Sequence, residues 1–125
     1  MIVSEIMSPE PYAANVANSI SRVLEMLAEA DVRHLPILEN GALVGIVSDR
    51  DLRGVKATRA TLAQPISTVM SSDVVSVQPD SDVADVIDLM IEHRIGAVPV
   101  VELNGAKLVG IVSYVDALRA ARDLL

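Results

Sequence analysis

Two pairs of polar residues recur at one spacing. Ser48 and Asp51 follow Leu43-Val-Gly-Ile-Val, and Ser113 and Asp116 follow Leu108-Val-Gly-Ile-Val. A serine three positions ahead of an aspartate suits a helix start, because the hydroxyl caps free N–H groups and the carboxylate meets the positive end of the helix dipole. Recurrence of the pair after one identical run argues for a use beyond capping. Several cations bear on that use. Arg33 follows a predicted helix end, where it either balances the dipole or meets an anion. His34 precedes an apolar run and is either an interior histidine or a ligand contact. Arg50 either pairs with Asp49 or a glutamate, or reaches a phosphate. His93 and Arg94 close a second helix and read as dipole compensation.

These residues do not compose a catalytic set. The sequence has no Cys, which excludes disulfides, cysteine nucleophiles and cysteine-held zinc. It has no Gly-x-Ser-x-Gly elbow, no Gly-Lys-Ser/Thr phosphate loop and no Gly-x-Gly-x-x-Gly turn. Its histidines, His34 and His93, are not spaced as a zinc pair on one helix. The expectation is therefore a protein that is not an enzyme, with no metal and no required cofactor.

Composition narrows the partners. The 125 residues are 51% hydrophobic and 22% charged, so the chain can bury a core and is not a disordered tail. The net charge of -7 opposes nucleic-acid phosphates. Aromatic residues amount to 2%, Tyr12 and Tyr114, too few for a stacking platform. No apolar run approaches the roughly 18 residues of a membrane span, and the start lacks a signal-peptide pattern. The expected location is the cytoplasm, with no nucleic-acid and no membrane partner. High apolar content with few charges points to self-association.

Stepping along the chain by 63 residues aligns it with itself: Ser4 meets Ser67, Met7 meets Met70, Val23 meets Val86, Pro36 meets Pro99 and Glu39 meets Glu102. After single insertions near Leu103 and Lys107, the two Leu-Val-Gly-Ile-Val-Ser runs align at an offset of 65. Two half-domains follow, residues 1–62 with a connector and residues 63–125. Each begins with an extended stretch, Pro11 to Val16 and Val74 to Pro79. A helix follows, with Ile20, Val23, Leu24 and Leu27, or Val83, Val86, Ile87 and Met90, on one face. Asn18 or Ser19, and Asp80 or Ser81, are its candidate caps, and it ends near Asp31 or Arg94. Two apolar strands then flank Asn40-Gly41 and Asn104-Gly105, a hairpin signal. A last helix opens at Ser48-Asp49 or Ser113. Gly45 and Gly110 read as sites of close strand packing, Met26 and Met90 as core or interface filler. Residues 53–64 form the connector, with a short helical turn.

This order, given twice with a Pro-bearing strand and Gly-Ile-Val-Ser-x-x-Asp, resembles a pair of CBS (cystathionine-β-synthase-type) domains. The resemblance runs from Val3 to about Arg122. It implies an α+β fold of two β-α-β-β-α motifs related by pseudo-twofold symmetry, with small sheets packed together. It also implies a regulatory, signal-transducing homodimer that binds adenosine nucleotides (AMP, ADP or ATP) in clefts between the motifs. On this resemblance Asp51 and Asp116 accept hydrogen bonds from ribose hydroxyls, which a carboxylate with two acceptor oxygens can do. Ser48 and Ser113 would meet phosphate. Asp116 would share its cleft with Ser113, Tyr114, Tyr12, Ala13, Ala14, Arg33 and His34. Asp51 would share the other with Ser48, Arg50, Val75, Ser76, Val77, Gly96 and Ala97. With Arg33 and His34 in its cleft, the Asp116 site is expected to favour phosphate, Arg50 supplying the charge in the other. The output would pass to an effector protein. The alternatives are a ligand-free dimerisation scaffold for a partner protein, and a binder of S-adenosylmethionine or a dinucleotide.

Overall fold

The computed structural model describes residues 1–102 and 104–125. The insertion assigned to Leu103 lies outside the described residues. The chain is α+β and divides into two compact units. One is Tyr12–Val74; the other joins Met1–Pro11 to Val75–Leu125.

In the unit Tyr12–Val74, a two-residue strand β2 (Ala14–Asn15) leads to α1 (Ile20–Ala30). Ser19 caps α1, its hydroxyl accepting from the Arg22 N–H at 3.1 Å. Ile20, Val23, Met26 and Leu27 form its buried face; Leu24, expected on that face, is exposed, and Met26 takes its place. Asp31 ends the helix in the left-handed region at φ 52°. Strands β3 (His34–Glu39) and β4 (Ala42–Ser48) pair antiparallel through the Asn40-Gly41 turn, and β2 lies parallel to β3. Both turn residues have positive φ, as the tight hairpin requires. A short helix α2 (Asp49–Arg53) follows, then α3 (Arg59–Leu62), the helical turn expected in the connector. The segment after it returns to the sheet: Ser71 exchanges two 3.0 Å backbone hydrogen bonds with Ile46. Leu35, Ile37, Val47 and Ile66, all fully buried, form the core with the α1 face.

The other unit repeats this with chain from both ends. Here β1 (Ser8–Pro9) runs antiparallel to β6 (Lys107–Ser113), which pairs with β5 (Ala97–Glu102). Helices α4 (Val83–His93) and α5 (Tyr114–Asp123) complete it. The Val3 N–H donates to the Ser81 carbonyl at 2.8 Å, and Val3 is fully buried among Val86, Val98, Val100 and Val112. Val3 and Ile66 are repeat equivalents, so each copy's lead segment completes the core of the other copy's unit. The division after residue 62 describes the repeat in sequence; the compact units divide elsewhere.

Two further local expectations are corrected. Val74 to Pro79 forms no strand; Val77 makes a single parallel bridge to Val100. The cap of α4 is Asp82, without a side-chain bond, and Ser81 instead accepts from the Gln78 N–H at 3.0 Å. In both hairpins the register shifts, between Ile37 and Leu38 and between Val100 and Val101.

Candidate functional site

The repeated Ser-x-x-Asp pair forms the same structure twice. Each serine ends a strand in extended backbone and caps the following helix. The Ser48 N–H donates to Asp51 Oδ2 at 2.9 Å, and the Asp51 N–H donates to Ser48 Oγ at 3.2 Å. Ser113 and Asp116 repeat both bonds at 2.9 and 3.2 Å, and the Ser113 hydroxyl also donates to Asp116 Oδ2 at 2.9 Å. This reciprocal box satisfies N–H groups that a helix start leaves free, and loss of such a cap costs about 0.5–2 kcal/mol. It engages one oxygen of each carboxylate. Among the described residues, Oδ1 of neither aspartate accepts a hydrogen bond. Each therefore offers a fixed, charged acceptor beside a strand-to-helix turn.

The hairpin ladder sets what stands next to each box. His34 lies opposite Ser48, and Ala97 opposite Ser113. One step outward, the Asp49 N–H donates to the Arg33 carbonyl at 2.9 Å, and the Tyr114 N–H to the Gly96 carbonyl at 2.9 Å. Arg33 and His34 thus adjoin the turn that carries Ser48, Arg50 and Asp51. His34 is half-buried, and burial is the main influence holding its pKa below the usual value. Arg33 adds to that, while Asp49 and Asp51 oppose it. Asp49 pairs with Arg53 at 3.7 Å between exposed side chains, a contact worth little. That overturns the pairing of Asp49 with Arg50.

The structure groups the candidate residues by unit. Tyr12, Ala13, Ala14, Arg33, His34, Ser48, Arg50 and Asp51 fall in Tyr12–Val74. Val75, Ser76, Val77, Gly96, Ala97, Ser113, Tyr114 and Asp116 fall in the other. Asp116 also borders a recess of about 340 Å³ with Glu5 and Ile6 of the lead segment and Arg119 and Asp123 of α5. The sequence reading missed these neighbours. Arg119 and Asp123 lie three and seven positions beyond Asp116, a helical-face spacing that could have found them. Glu5 carries no such signal, because only the exchanged lead segment brings it there.

Two copies of one site on a shared α+β plan narrow the family. The family model for the CBS domain matches residues 3–57 and 66–123. The chain belongs to the CBS-domain family. A CBS domain-containing protein of Bacillus subtilis, YhcV, is 30% identical over 115 residues, covering 91% of this chain and 81% of its own. Among solved structures, CBSX2 in complex with AMP aligns with a TM-score of 0.87 at 28% identity, covering 98% of this chain and 97% of that one. The CBS domain pair of protein MJ0100, in complex with 5′-methylthioadenosine and S-adenosyl-L-methionine, aligns with a TM-score of 0.87 at 29% identity, covering 100% and 98%. Longer relatives carry the CBS pair as a minor part. L-aspartate semialdehyde sulfurtransferase of Methanocaldococcus jannaschii is 32% identical over 119 residues, 23% of its length. Among the described residues no group of His, Asp and Glu is arranged to hold a metal ion, and no helix is long and apolar enough to cross a membrane.

Proposed function

We propose that this CBS pair is a regulatory module that binds adenosyl ligands at its two Ser-x-x-Asp turns. The carrying observation is the paired capping boxes, which hold Asp51 and Asp116 by one oxygen and leave Oδ1 of each toward a ligand hydroxyl. A ribose offers two adjacent hydroxyls to such an acceptor. CBSX2 with AMP and MJ0100 with methylthioadenosine and S-adenosylmethionine support the ligand class. AMP, ADP and ATP are the first candidates. Tyr12, Ala13 and Ala14, with Val75, Ser76 and Val77, are proposed as the backbone walls that receive the base. The module acts as a cytoplasmic homodimer and passes its state to an effector protein. A ligand shifts that state by as much as its affinities for the two forms differ.

Thermal unfolding with a panel of AMP, ATP, S-adenosylmethionine and NADH tests the reading. A ligand at 100 times its Kd adds about 2.7 kcal/mol of stability. A saturable rise in Tm with at least one adenosyl compound is expected. No rise with any of them overturns the reading in favour of a ligand-free scaffold. Exposed apolar side chains on one unit, Ile91 at 71% and Leu118 at 62%, would then be the first surface to examine.

A further inference from the structure

Each lead segment meets its sheet through a methionine laid over a glycine. In the unit Tyr12–Val74 the Met70 thioether covers Gly45 of β4, with Sδ 2.5 Å and Cγ 3.2 Å from where a Cβ would stand. In the other unit Met7 covers Gly110 of β6, its Cγ 3.0 Å from the equivalent point. Met7 and Met70 are repeat equivalents. The nearest backbone atom at each seat is a carbonyl oxygen of the segment itself, that of Ser71 at 3.0 Å and that of Ser8 at 3.1 Å. The Ser71 carbonyl already accepts from the Ile46 N–H. No donor stands among these nearest atoms. The seat therefore suits an apolar sulfur and opposes a polar oxygen placed on it.

The five methionines differ in access. Met26 and Met90 are buried, at 6% and 8% exposure, and Met1 is exposed. Met7 and Met70 are half-buried, so each joins a packing task to contact with solvent. What each thioether secures is short. Strand β1 has two residues, and Ser71 holds Ile46 by its two backbone hydrogen bonds.

We propose that Met7 and Met70 are oxidation sites, and that sulfoxide formation at either one releases its lead segment from the sheet. The co-reactant is hydrogen peroxide. It transfers one oxygen atom to Sδ: the S–O bond forms, the O–O bond breaks, the sulfur gives up two electrons and the peroxide leaves as water. The product is a polar, chiral side chain, which a methionine sulfoxide reductase returns to the thioether. Strands β4 and β6 run on from the glycines to Ser48 and Ser113, so the strand that loses its cover is the one that carries the capped turn. The module thereby has a redox input that does not depend on any bound ligand.

Titration of the full chain with hydrogen peroxide tests the proposal, read by peptide mass mapping, thermal unfolding and amide hydrogen exchange. Met7 and Met70 are expected to gain oxygen before Met26 and Met90. As they do, Tm is expected to fall by roughly 5–10 °C. Exchange should quicken at the Ile46 amide with Met70 sulfoxide, and at the Glu10 amide, which donates to the Val109 carbonyl, with Met7 sulfoxide. Treatment with the reductase should restore both. The double variant Met7→Leu, Met70→Leu is close to volume-conserving and is expected to hold its Tm over the same peroxide range. Tm and exchange unmoved with both sulfoxides present, or moved only once Met26 and Met90 are oxidised, overturns the proposal. An equal fall in the leucine variant overturns it as well. If the leucine variant does not fold, the order of oxidation, the exchange at Ile46 and Glu10 and the reversal by reductase in the natural chain decide the matter.

Discussion

At the scale of the residue, Asp51 and Asp116 each cap a helix start, and the proposed function gives the same carboxylate a binding task. Replacement by alanine removes both, so Asp116→Ala is expected to lower stability by about 0.5–2 kcal/mol and to lose its ligand. Chemical denaturation separates the first loss from the second. His34 supplies a pH dependence. Its pKa is lowered in the fold, chiefly by burial, so the unfolded chain protonates first as pH falls. Stability present above about pH 6.5 is then lost as pH falls through the unfolded value toward the folded one. His34→Gln is expected to flatten that profile, as unfolding curves between about pH 5 and 8 would record. The pairs of Ser and Asp were legible in the sequence because they repeat. The lowered pKa was not, because it depends chiefly on how far the fold buries the ring.

At the scale of the element, glycine shows how a lead segment docks. A Cβ on Gly45 would lie 2.5 Å from Met70 Sδ and 3.0 Å from the Ser71 carbonyl; on Gly110 it would collide with Met7 Sδ. The strand is bare where the segment crosses it. Gly45→Val and Gly110→Val should each destabilise by about 1–3 kcal/mol through overpacking, measured by denaturant unfolding. The helix ends behave oppositely. Arg94 closes α4 at φ 55°, a conformation that costs a side chain roughly 1–2 kcal/mol and glycine nothing. Arg94→Gly should therefore raise stability by about 0.5–1 kcal/mol after its greater unfolded entropy is counted. Helix faces, the Asn-Gly turns and the Ser caps were readable because each rests on local pattern. The lack of a strand at Val74 to Pro79 and the shifted registers were not. They are set by neighbours distant in sequence, such as Val100 for Val77.

At the scale of the whole molecule, the repeat was visible at once and the folding units were not. Sequence alignment places Val3 and Met7 in the first copy, yet they complete the core that holds Val86, Val98 and Val112. Nothing in an apolar residue's identity tells which copy it will serve. A fragment of residues 12–74 contains a complete compact unit, whereas residues 1–62 lack Ile66 and Met70. The first fragment should fold more stably, a difference that circular dichroism with denaturant would measure. Ile66→Ala in the full chain should cost about 2–5 kcal/mol, as emptying a fully buried site does.

The central claim is that adenosyl ligands bind at the two capped turns. Amide chemical-shift mapping of the labelled full chain with AMP and with 5′-methylthioadenosine tests it most directly. Saturable shifts centred on Ser48 to Asp51 or on Ser113 to Asp116 are predicted. Shifts confined to other surfaces, or none with either ligand in the folded protein, would contradict it.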